Sequence, residues 1–72
     1  MVNHPPHYTS GKIEVIDFIE DQKLGFHEAQ VIKYVSRAGR KVRNDTPVAV
    51  AQLEDLMKAQ WYLNRLIEKL TP

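Results

Sequence analysis

Seventy-two residues limit the chain to one domain with a small core, and a chain of that size keeps little stability in reserve. The absence of cysteine excludes disulfides and thiolate zinc as staples. No apolar run approaches the roughly 18 residues of a membrane span, and the first residues lack a signal-peptide pattern. The expectation is a cytoplasmic, membrane-free, all-α chain that supplements its stability by self-association. A formal net charge of +1 argues against a protein devoted to coating nucleic acid. The charges are nevertheless segregated: Glu14, Asp17, Glu20 and Asp21 fall in one stretch, and Lys33, Arg37, Arg40, Lys41 and Arg43 in another.

In chain order, residues 1–12 read as an extended leader and 13–72 as helical. The leader contains "NHPPHY", with His4 and His7 around Pro5 and Pro6. Two prolines bias the segment to polyproline II, where one turn of three residues rises about 9 Å. His4 and His7 then share a side but stand too far apart for one metal ion. Spaced imidazoles with Tyr8 beside them suit contacts along an elongated anion, and prolines lower the entropy lost when such a strap docks. The alternative is a frayed terminus.

The first helix is predicted over 13–22, from Ile13, Ile16 and Ile19 stepping by three, with Gly25 placed to stop the chain beyond it. The segment "IEVI" also has the composition of a strand. The second helix is predicted over 26–38, because Val31, Ile32, Val35 and Ala38 form one apolar stripe and Gly39 occupies C′. The third begins after "DTP", with Thr46 as cap and Pro47 in the first turn, and runs some two dozen residues, with Pro72 past its end. Its apolar positions occupy two faces: Leu53, Leu56, Leu63, Ile67 and Leu70 on one, Val50, Met57 and Trp61 on the other. One short partner helix does not cover both, so the width predicts an oligomer built through this helix. The alternative is that the first two helices together cover it. Trp61 is expected to pack and Tyr62 to be the more open of the pair.

Lys33 and Arg37 lie one helical turn apart, and Arg40 or Lys41 extends the row, away from Val31, Ile32 and Val35. Like charges at this spacing repel. An anion resting on the row resolves the conflict, Arg37 and Arg40 gripping oxygens bidentately and Lys33 adding a point charge. Solvation, or pairing with the acidic first helix, resolves it equally well. On the anion reading, Arg37→Ala weakens binding and leaves assembly intact. Tyr34, flanking the row, is a candidate to stack on a base, although an aromatic on a packed helix is more often core. Glu14, Asp17 and Asp21 share a helix side and are a candidate Mg²⁺ seat, with solvation the more ordinary fate of such a row. No metal ligand and no catalytic residue is assigned. The chain has no glycine-rich phosphate loop, and "HEAQV" carries Val31 where a zinc-protease helix has its second histidine.

The ordered blocks "NHPPHY", "IEVIDFI", "F…VIKYVSRAGRK" and "LEDLMKAQWYL" resemble a small domain common in phage genomes. That domain has no assigned function as a family and includes a phage nucleotide kinase lacking a P-loop. The resemblance runs from Asn3 to about Ile67. It implies an all-helical, oligomeric nucleotide-binding protein in a phage-infected or lysogenic bacterial host. The matching polar positions are Asn3, His4, His7, Tyr8, Lys33, Tyr34, Arg37 and Lys41, with Asp55, Lys58 and Trp61 in the last block. Ala29-Gln30 stands where the family pattern has Gly-Asn. Together with Arg40, the first eight form the expected ligand set. Three functions follow as expectations: capture of a nucleotide without chemistry, phosphoryl transfer between nucleotides with Mg²⁺ as cofactor, or a helical protein-interaction module.

Overall fold

The computed structural model describes residues 11–40 and 44–72. They form three helices, α1 (Val15–Asp21), α2 (Phe26–Arg37) and α3 (Val48–Leu70). No strand occurs among the described residues, so "IEVI" is helical from Val15 onward. The all-α expectation holds. Residues 1–10 of the leader and Lys41 lie outside the described residues.

α1 ends in a left-handed turn, but Gly25 does not make it. Lys23 adopts φ 53°, while the Leu24 N–H donates to the Ile19 carbonyl and the Lys23 N–H to that of Glu20. This is the Schellman arrangement, which satisfies carbonyls that the helix end would otherwise strand. Gly25, with φ −72°, is instead the N-cap of α2. At the far end of α2, Gly39 does take the left-handed conformation, φ 80°. There a Cβ would meet the Gln52 side chain at 3.2 Å, so glycine is needed both for its backbone and for the approach of this turn to α3.

α3 spans 23 residues, about 34 Å at 1.5 Å per residue. Its start differs from the expectation by one position: Pro47 is the N-cap, its carbonyl accepting from both Val50 and Ala51 N–H at 3.0 Å. Thr46 does not cap; its hydroxyl donates to the Asp45 carboxylate at 3.2 Å. At the other end the Thr71 hydroxyl donates to the Ile67 carbonyl at 2.6 Å, closing the last turn. No helix among the described residues is long and apolar enough to cross a membrane.

α3 packs mainly on α2, and α1 leans on α2 more lightly. The α2–α3 contact is polar and aromatic rather than aliphatic. From α2 it takes His27, Gln30, Tyr34 and Arg37, a 3-4-3 row of half-buried or buried residues. From α3 it takes Ala51, Asp55 and Ala59, one turn apart and all buried. The two alanines are the only buried apolar residues among those described, while Ile16, Val35, Leu53, Leu63 and Ile67 are each about half exposed. The expected inner stripe of α2 is therefore turned partly outward. Val35 is 52% exposed, and Arg37, assigned to the outer row, is buried.

Candidate functional site

The site is built where the C-terminal half of α2 crosses α3. Arg37 is buried, and so is Asp55, which the small residues Ala51 and Ala59 flank one turn away on either side along α3. The Arg37 Nη2 donates to Asp55 Oδ1 at 2.7 Å, with side chains 11% and 7% exposed. A buried charge requires such a partner, because leaving it unpaired costs several kcal/mol. Asp55 on α3 thus supplies a counter-ion to Arg37.

Three cations converge on the Tyr34 ring. The Arg37 guanidinium carbon lies 4.6 Å from its centroid, Lys33 Nζ 5.2 Å and Lys58 Nζ 5.5 Å. Each is within the range where the ring's quadrupole attracts a cation. Lys33 and Arg37 arrive from α2, on either side of Tyr34 along the helix, and Lys58 arrives from α3. Asp55 offsets the charge of Arg37. Among the described residues neither Lys33 nor Lys58 forms an ion pair, so the locality keeps a positive excess that attracts anions.

The Tyr34 ring is itself held by Tyr62, stacked at 5.9 Å between centroids with 12° between planes. Tyr62 in turn meets Trp61 edge-on at 5.1 Å and Phe26 at 6.0 Å, with His27 at 6.4 Å. Tyr62 is half-buried at the centre of this aromatic cluster, whereas Trp61 is 61% exposed. This reverses the expected roles of the two residues. α3 turns its 51-55-59-62 row to α2, which leaves Trp61 one residue past the contact.

A family described as a protein of unknown function, DUF3310, matches residues 2–64. The chain belongs to the DUF3310 family. No curated protein and no solved structure shows significant similarity to the chain. The match in this DUF3310 chain extends over the leader, α1, α2 and most of α3, so the Tyr34 cluster lies wholly within it.

Of the residues expected to meet a ligand, the DUF3310 fold brings Lys33, Tyr34 and Arg37 together. Arg40 follows α2 in an exposed turn, its N–H donating to the Arg37 carbonyl at 2.9 Å. Asn3, His4, His7, Tyr8 and Lys41 lie outside the described residues. Among those described, no group of three His, Asp or Glu is placed to hold a metal ion, and Glu14, Asp17 and Asp21 do not converge as one. The ligand set assembled from sequence left out Tyr62, and also Asp55 and Lys58, although the resemblance marks those two positions. Their signal was present in α3: Asp55, Lys58 and Tyr62 step by three and four on the helix side that carries the small residues Ala51 and Ala59.

Proposed function

We propose that this protein captures an anionic nucleotide on the α2–α3 face around Tyr34, without chemistry, in an assembly built through α3. The observation that supports this most is the convergence of Lys33, Arg37 and Lys58 on one tyrosine ring, with both lysines free of ion pairs among the described residues. Phosphate oxygens would draw charge-assisted hydrogen bonds from the two lysines. Arg37, fixed by Asp55, would add a positioned positive charge. The aromatic surface beside the cations suits the flat face of a base. By the resemblance, the leader residues Asn3, His4, His7 and Tyr8, with Arg40 and Lys41, would complete the ligand set. The absence of a glycine-rich phosphate loop favours capture over transfer, as in a phage protein that withdraws a nucleotide signal such as a cyclic nucleotide of host immunity.

Two other readings each have one feature in their favour. Phosphoryl transfer is favoured by the resemblance to a phage nucleotide kinase, and would need two nucleotide sites with Mg²⁺ between them. A protein-interaction module is favoured by the exposed apolar surface of α3. The melting temperature, measured with a panel of mono-, tri- and cyclic nucleotides, separates binding from the interaction module. Capture is expected to raise it by several degrees with a tight ligand, through linkage. No shift across the panel would overturn nucleotide binding. Incubation with ATP, Mg²⁺ and deoxynucleoside monophosphates then separates capture from transfer, because new diphosphate would establish a kinase.

A further inference from the structure

The outward face of α3 has a periodicity that packing within the protomer does not use. Leu53, Leu56, Gln60, Leu63, Ile67 and Leu70 follow one another at steps of three and four in strict alternation. This repeat of 3.5 residues is the coiled-coil seam, which needs a facing helix carrying the same repeat. In heptad terms Leu56, Leu63 and Leu70 are d positions, and Leu53, Gln60 and Ile67 are a positions. The five aliphatic members are between 41% and 77% exposed, and Gln60 is exposed too. The residues that face α2 are Ala51, Asp55, Ala59 and Tyr62, roughly a third of a turn around the helix from the seam.

We propose that a second copy of this chain seats on the seam, its own α3 packed against this one about a two-fold axis that passes beside Gln60. Two observations support a second copy. The first is the exposed surface. Leu53, Leu56, Leu63, Ile67 and Leu70 are 41–77% exposed, and two alanines are the only buried apolar residues among those described, so pairing along the seam removes from water apolar surface that packing of the described residues leaves open.

The second is Gln60. A lone amide in the centre of an apolar seam is buried by any partner, and an unsatisfied buried amide costs about 1–3 kcal/mol. A foreign apolar helix would leave it so. A copy related by a two-fold at this position brings another amide to it, and an amide both donates and accepts, so the pair satisfies itself. A single polar residue on such a seam also fixes the register of the pair. The inference builds on the assembly half of the proposed function and needs no nucleotide, so the two can fail separately.

The chain has no cysteine, which makes single-cysteine cross-linking unambiguous. Gln60→Cys, oxidised at micromolar concentration, is expected to run as a covalent dimer in denaturing electrophoresis. Arg65→Cys, on the opposite side of α3, is expected to remain mostly monomeric under the same conditions. Sedimentation of the unaltered chain is expected to give at least twice the monomer mass. A monomer at tens of micromolar would overturn the proposal, as would Arg65→Cys cross-linking as readily as Gln60→Cys. Sedimentation uses the unaltered chain, so the test does not depend on a variant that fails to fold.

Discussion

Asp55 shows how one residue can change the meaning of another. From its spacing, Arg37 belongs to an outer basic row; in the fold it is the buried partner of Asp55 at 2.7 Å. Removing either member strands the other, which costs about 3–5 kcal/mol, a large share of the few kcal/mol such a chain holds. Arg37→Ala is therefore expected to lower the urea midpoint sharply, and it no longer serves as a clean test of ligand binding. The cycle with Asp55→Ala is expected to be non-additive, the double variant losing less than the two singles together. Lys33→Ala and Lys58→Ala are the informative substitutions. Neither lysine is ion-paired among the described residues, so the fold should survive while nucleotide affinity falls about tenfold for each lost charged hydrogen bond. Lys23, in the left-handed region at φ 53°, should be better as glycine. Lys23→Gly is expected to raise the melting temperature by about 2–5 °C, the left-handed cost to an L-residue exceeding the extra entropy of glycine.

At the scale of elements, the three helices and their order are legible because apolar periodicity and the Gly39 and Pro47 punctuation act locally. Gly39 is the clearest case. Its φ of 80° and the Gln52 atoms 3.2 Å from a would-be Cβ mean that Gly39→Ala should destabilise by about 1–2 kcal/mol. Adding Gln52→Ala should restore only the steric part, as thermal melting of the pair would show. The end of α1 was less legible, since Gly25 looks like the natural stop and the turn instead closes on Lys23, two residues earlier. The orientation of α2 was not legible from α2 alone. Val31 and Val35 mark an inner stripe only if the partner surface is aliphatic, and α3 offers the Ala51–Asp55–Ala59 row there instead. That row selects Tyr34 and Arg37. The same tertiary choice explains why Trp61 is open and Tyr62 packed.

At the scale of the whole molecule, the described residues bury the Arg37–Asp55 pair between α2 and α3 and leave much of the aliphatic surface of α3 outside. On the proposed pairing through α3, association adds to stability, so the melting temperature is expected to rise with protein concentration over the micromolar range. A concentration-independent melt would place the missing stability within the protomer. The candidate site and the α3 seam lie on different sides of α3, which lets a ligand and a second copy bind without competing. The most direct measurement is native mass spectrometry of the protein incubated with the nucleotide that gives the largest melting shift, for the unaltered chain and for Lys33→Ala/Lys58→Ala. The account expects nucleotide retained on an oligomer of the unaltered chain, and the same subunit count with no retained nucleotide for the double variant. Equal retention by both would contradict a site at Tyr34.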